Sequence, residues 1–218
     1  MGFLKESGIL IKKEFTLEWR TKTGIQSILL YAVSTVFLCY WAIHKIEGEA
    51  WIALYWLMAV FSALNSVGRG FLQESSAQQF YYYGIASPYA ILFSKMVFNG
   101  LVLILVNLVL LFFYSLTLGF PIKQIFPFFL CVFLGIMALS GAITFLSAIA
   151  SKASGNLSLL AILGMPVLLP IIFLVIHFSA GTLSGESIGF GKDILALCMI
   201  NLIVPSVAAL VFPYIWRN

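Results

Sequence analysis

Charged residues are clustered along this chain, and the intervals between the clusters carry no charge: Lys22 to Lys45, Glu49 to Arg69, Glu74 to Lys95, Lys95 to Lys123, Lys123 to Lys152, Lys152 to Glu186 and Asp193 to Arg217. Six of the seven are apolar enough to cross a bilayer, which takes about 20 residues. They give spans over Ile25–Ile43, Trp51–Val67, Met96–Leu118, Ile125–Ala150, Leu157–Phe178 and Ile194–Trp216. The remaining interval, Ser75–Ser94, contains Ser75, Ser76, Gln78, Gln79, Ser87, Pro88 and Ser94, and its Tyr81, Tyr82 and Tyr83 suit the headgroup level better than hydrocarbon. It predicts an interfacial or partner-facing helix. Ahead of the first span, residues 3–22 place Leu4, Ile11, Phe15 and Trp19 along one helical stripe, with Lys12, Lys13, Glu14 and Glu18 pointing elsewhere. That pattern predicts an amphipathic helix on the inner membrane surface, either an anchor or a contact surface for a cytosolic partner. The expected fold is all-α: one polytopic membrane domain over 1–218 with six transmembrane helices, an amphipathic helix over 1–22, and a cytoplasmic coupling-type helix over 71–94 between spans two and three.

Composition removes the main competing class. Of 218 residues, 62% are hydrophobic and 9% charged, against about 45–50% and 25% in an ordinary soluble domain. Too little charge is present to coat a soluble enzyme. The net charge of +4 is too small to point to nucleic acid, and the positions of the cations say more than their sum. With six spans, Lys5, Lys12, Lys13, Arg20, Lys22, Arg69, Lys95, Lys152 and Arg217 fall on one side and Lys45, Lys123 and Lys192 on the other, which predicts both termini cytoplasmic. Seven spans would divide the cations less unequally, and the polarity of Ser75–Ser94 decides for six. The first apolar stretch exceeds a signal-peptide core of about 7–15 residues, so it is expected to stay as an anchor. Cys39, Cys131 and Cys198 show neither CxxC nor Cys/His ligand spacing and read as buried packing thiols.

Inside the spans, Ser62, Asn65, Ser66 and Arg69 recur at helical spacing and form a polar stripe expected to face protein. Asn99 lies one turn from Lys95, and Asn107 falls near the middle of span three, where an amide needs a partner. These are either interhelical glue or part of a substrate path. Ala138, Gly141, Ala142, Ala148 and Ser151 provide small faces for close packing. Pro166 and Pro170 in span five, and Pro205 in span six, predict bends or local breaks, as static kinks or as hinges.

Recognisable reaction chemistry is sparse. The stretch SGESIGFGKD imitates a phosphate loop, but Glu186 replaces the required glycine and Asp193 the required Ser or Thr. No carboxylate falls inside a span, which deprives proton-coupled transport and intramembrane catalysis of their usual carriers. His44 and His177 both fall near outer span ends and are candidate haem or metal ligands, although an interfacial histidine is more commonly a polar tip at the membrane surface. No cofactor bound by this chain is expected.

This order of elements resembles the ABC-2 type of ATP-binding-cassette permease, and more specifically the cytochrome c maturation protein B family, the haem exporter B subunit. The likeness rests on KEFTLEWR (Lys13–Arg20), FLQESSAQQFYYYGIASPYAILFSK (Phe71–Lys95) and GNLSLLAILGMPVLLPIIF (Gly155–Phe173). Glu14 and Arg20 match the family's acidic and basic positions in the N-terminal helix. Glu74, Pro88 and Lys95 match its inner loop, and Pro166 and Pro170 its paired prolines. The chain departs from the family at Ser75–Gln78, where a Gly, Leu and acidic residue are usual, and at Gly84–Ser87, where a proline-rich run is usual.

The resemblance implies an inner-membrane permease subunit without its own ATPase. It would work with a cytosolic ATP-binding subunit and with haem-handling membrane subunits that release the loaded haem chaperone, with haem as a candidate cargo and its ligands on another subunit. Membrane lipid and a second copy of the chain are further expected partners. Because the inner connection is longer than a simple joint requires, Glu74, Gln78, Gln79, Tyr81, Tyr82 and Tyr83 are expected to dock the ATPase; the alternative is a helix resting on lipid headgroups. A permease for another substrate such as a lipid-linked polymer, a haem-ligating protein and a passive scaffold share the same apolar spans.

Overall fold

Helix boundaries follow local signals that a hydropathy profile does not register. The computed structural model describes residues 3–21, 23–43, 46–67, 87–153, 157–184 and 190–217. Within these are seven helices: α1 (Phe3–Thr21), α2 (Thr23–Ala42), α3 (Glu49–Val67), α4 (Pro88–Leu118), α5 (Ile125–Ala153), α6 (Leu157–Ser184) and α7 (Phe190–Arg217). α3 begins after Gly48, whose φ of 61° is a left-handed conformation that favours glycine, with Glu49 in its first turn. α4 begins with Ser87 as N-cap, its hydroxyl accepting from the Ala90 amide at 3.3 Å, and Pro88 in the first turn. It stops at Gly119, φ 77°, followed by Pro121.

Five of the helices are long and apolar enough to cross a membrane: α3, α4, most of α5, and the stretches Ile162–Ser184 of α6 and Gly191–Tyr214 of α7. In α2 the apolar part within the described residues, Gln26–Ala42, is shorter, at the lower limit for a span. α4 corrects the expected boundary of span three. Its 31 residues make about 46 Å of helix at 1.5 Å per residue, longer than a hydrocarbon core of about 30 Å. Residues 88–94, expected in a separate loop helix over 71–94, therefore belong to this helix, and Lys95 lies inside it instead of ending it.

Contacts between side chains fix how the helices alternate. Trp51 lies against Tyr114 (ring centroids 4.7 Å), so the start of α3 meets the end of α4. Lys123 and Gln124, just before α5, donate their amides to the Thr182 carbonyl near the end of α6, both at 3.2 Å. One end of the bundle is thus built around Gly119 and Thr182, and α1 lies at the other. α5 is the central element, packed against α3, α4, α6 and α7. Its expected small face is buried, with Ala138, Ala142 and Ala148 all at or below 2% exposure. Gly135 is the tightest point: a Cβ there would sit 2.6 Å from the Trp56 ring and 2.7 Å from Val175. The Trp56 indole donates to Ser179 at 2.9 Å, and the Cys131 thiol lies 3.4 Å from that same hydroxyl. Of the three cysteines expected to be buried, Cys131 is, Cys39 is half-buried, and Cys198 faces outward from α7.

At the Gly119 end, aromatic side chains fill the space between helices. Trp51 contacts Tyr55, Tyr114, Phe120 and Phe128, donates its indole N–H to the Gly119 carbonyl at 3.1 Å, and accepts the Tyr114 hydroxyl on its own carbonyl at 2.9 Å. The Trp51 and Tyr114 tips are thus satisfied where water is excluded, as apolar surroundings demand, whereas the Tyr55 hydroxyl in the same cluster finds no partner among the described residues. Trp41, near the end of α2, is 82% exposed, a placement that suits an interfacial aromatic.

Candidate functional site

α1 and the first turns of α4 lie side by side and run in the same direction. Glu6 accepts the Ser87 amide N–H at the start of α4, and the Ser87 hydroxyl lies 3.4 Å from its second carboxylate oxygen. Eight residues further along both helices, Glu14 meets Lys95, with Nζ 3.5 Å from Oε1. Phe15 then meets Phe98 edge-on at 5.0 Å. The equal spacing fixes the parallel register. Glu6 places negative charge at a helix N-terminus, the favourable end of the macrodipole.

The Glu14 carboxylate lies between two ammonium groups, Lys95 and its neighbour Lys13 at 2.8 Å. Lys95 is 5% exposed. Burial works against the Glu14 charge, but the fields and hydrogen bonds of Lys95 and Lys13 outweigh it and hold the carboxyl below the ordinary glutamate range. In the sequence Glu14 and Lys95 stand apart, one as a polar residue of the amphipathic helix and the other as a cation at the end of span three, both matching family positions. Their pairing was missed, yet a signal was present: a lysine interrupting two long apolar intervals needs a carboxylate nearby.

Beyond Lys95 the polar side chains reach the α4–α5 seam. Asn99 donates to Thr144 of α5 at 3.0 Å, with both residues buried, so this amide ties the two helices together. Asn107 donates within its own helix, to the Leu103 carbonyl at 2.9 Å, and Asn65 likewise to Phe61 at 3.0 Å. Ser62 is fully buried, so that part of its stripe faces protein. The Ser62 hydroxyl and the Asn107 carbonyl oxygen find no hydrogen-bond partner among the described residues. A bridge that the sequence did not suggest is Asn201 of α7, which reaches the Leu134 carbonyl of α5 at 3.0 Å.

The remaining candidates do not converge on this region. Pro166 and Pro170 lie on the exposed side of α6, which continues as helix through both, so no local break occurs there. Each lacks an amide, leaving the Ile162 and Pro166 carbonyls without their usual helical donors. Pro205 and Pro213 lie within continuous α7. His177, near the Gly119 end, pairs its Nδ1 with Asp193 at 3.3 Å and stacks on Phe173. Among the described residues no three His, Cys, Asp or Glu gather as a metal site. Glu74, Gln78, Gln79, Tyr81, Tyr82 and Tyr83, together with His44, lie outside the described residues.

The long apolar helices and the hydrogen bonds between them define an integral membrane protein of the polytopic α-helical class. Residues 6–215 match the family described as CcmB protein, and the chain belongs to that family. CcmB proteins are membrane permease components of the cytochrome c maturation and haem export system, and membership implies partnership with other components of that system, such as its ATPase. No curated protein or solved structure shows significant similarity to the chain.

Proposed function

We propose that this chain is a six-span permease subunit, with both termini and the α1 end cytoplasmic, driven by a separate ATPase that docks on the segment between α3 and α4. Haem is the cargo that family membership favours. The observation that carries this reading is the arrangement at the α1 end. The segment over 68–86, which carries the proposed docking residues, leads directly into the Ser87 cap that Glu6 holds, and Lys95, two turns further on, is held by Glu14. A displacement of the docked loop would enter α4 at its first turn and draw α1 with it. Glu74 supplies the charge for a basic partner residue, and Gln78, Gln79 and Tyr81–Tyr83 supply the hydrogen-bonding and aromatic surface common at interfaces.

Co-purification in mild detergent tests the docking. Glu74→Lys should weaken recovery of the ATPase about tenfold while leaving membrane insertion intact. Unchanged recovery from that variant and from a Tyr81–Tyr83 triple-alanine variant would assign the loop to the membrane surface. Orientation is tested separately, by external labelling of a cysteine introduced at Lys152. Labelling from outside sealed cells would overturn the proposed topology.

In the same reading, α6 acts as the compliant span. The double variant Pro166→Ala/Pro170→Ala restores two backbone donors and should slow amide exchange in the middle of α6 while lowering cytochrome c maturation. If activity and protease sensitivity do not change, the prolines are fixed features of a static helix.

A further inference from the structure

α1 carries charges of both signs, and its packing sorts them. Glu6 and Glu14 are used against α4, and Lys13 is drawn to Glu14. Lys5, Lys12 and Arg20 are exposed, and no ion pair is formed by any of the three among the described residues. At 100° per residue these cations, with Ile9 and Thr16, fall within about 80° of one another on the face opposite α4. They follow one another along α1 at about 10 to 12 Å. Ile9 lies among them at 53% exposure, with Phe15 and Leu17 on the flanks at 44% and 48%. The sequence shows a helix of nearly balanced charge; the fold turns it into a one-sided cationic face.

We infer that the outward face of α1 binds the headgroups of anionic phospholipids, with Lys5, Lys12 and Arg20 meeting phosphates and Ile9 entering the acyl boundary. Cations interleaved with an exposed aliphatic side chain match a charged interface over hydrocarbon, whereas a purely acidic protein surface would leave Ile9 unused. One residue, Lys22, separates α1 from the apolar helix α2, which keeps this face at membrane level. The inference rests on α1 lying at a membrane surface, but not on which side of the membrane that is.

The test uses the purified full-length chain in nanodiscs of phosphatidylcholine containing a minor fraction of spin-labelled phosphatidylglycerol or spin-labelled phosphatidylcholine. Both leaflets are present, so the result is independent of the topology decided by labelling at Lys152. Each cation near the surface contributes about fivefold to anionic selectivity, and this contribution falls with added salt. The wild-type chain should select phosphatidylglycerol over phosphatidylcholine by at least that factor. Lys5→Gln/Lys12→Gln/Arg20→Gln should abolish the preference, and Lys5→Arg/Lys12→Arg/Arg20→Lys should keep it, which also serves as the control if the neutral variant does not fold. Undiminished selectivity in the folded glutamine variant would overturn the inference. Loss of ATPase recovery with lipid selectivity intact would overturn it too, assigning the face to a protein partner.

Discussion

Replacing Lys95 by Met is expected to destabilise the full-length chain by about 3 kcal/mol, the lower end of the range for removing one member of a buried ion pair. The lower end applies because Lys13 stays 2.8 Å from Glu14 and the Glu14 side chain keeps 15% of its exposure. The loss arises from stranding a carboxylate, not from the intrinsic worth of the pair, so Glu14→Gln added to Lys95→Met should recover part of it. A double-mutant cycle measured by detergent-denaturant unfolding would show coupling well above about 0.5 kcal/mol. Additive costs would mean that the two groups do not act together. The pH dependence has a definite sign. A carboxyl whose folded value is depressed contributes stability that is fully present above its unfolded value, about 4.3, and is lost as the pH falls through its lower folded value. Acid should therefore release α1 from α4, and the double variant should lack that step.

A second large effect is expected at Gly135. Its Cβ would approach the Trp56 ring to 2.6 Å and Val175 to 2.7 Å, and the ring cannot easily withdraw because its indole N–H is bonded to Ser179. Gly135→Ala should cost about 1–3 kcal/mol by overpacking, and Gly135→Leu should prevent recovery of folded protein from the membrane. Gly8 supplies the contrast. No atom lies within 4 Å of a Cβ placed there, so Gly8→Ala should stabilise α1 by up to about 1 kcal/mol through helix propensity. Thermal unfolding of the two alanine variants against wild type in one detergent checks the order, and the yield of folded protein checks Gly135→Leu; a neutral Gly135→Ala would show that Trp56 and Val175 yield freely.

The helices themselves were largely legible because charge-free intervals of span length have few other uses. Their ends were less so. Taking Lys95 as the edge of span three missed that Ser87–Pro88 is a stronger helix start than a lysine is a stop, and that a long side chain can be buried if a carboxylate meets it. Partner choice was hidden for a different reason. Helix α1 alone carries Glu6, Glu14 and Glu18, and only its parallel packing on α4 selects Glu14 for Lys95. The small face of α5 could be read from composition, yet Gly135 stood outside it, because a close approach to Trp56 depends on how α3, α5 and α6 converge. Cys198 shows the converse failure: in a membrane an apolar face need not be an inward face, so hydrophobicity could not distinguish lipid contact from burial.

The bonds at the two ends of the bundle differ in kind, and this has a mechanical consequence. Near Gly119 the ties run through main-chain carbonyls: Thr182 receives two amides, Gly119 an indole and Trp51 a phenol. Toward α1 they depend on polar and charged side chains: Asn99 to Thr144, Glu14 to Lys95, and Glu6 to the Ser87 amide. Lys, Glu and Asn side chains can exchange partners by rotamer changes, whereas the two amides on Thr182 yield only if the backbone moves and the fully buried Trp51 and Tyr114 rings are held by the packing around them. Under the proposed docking, a force applied where α4 begins would open a wedge that narrows toward the Gly119 face, with the largest travel beside the point of loading.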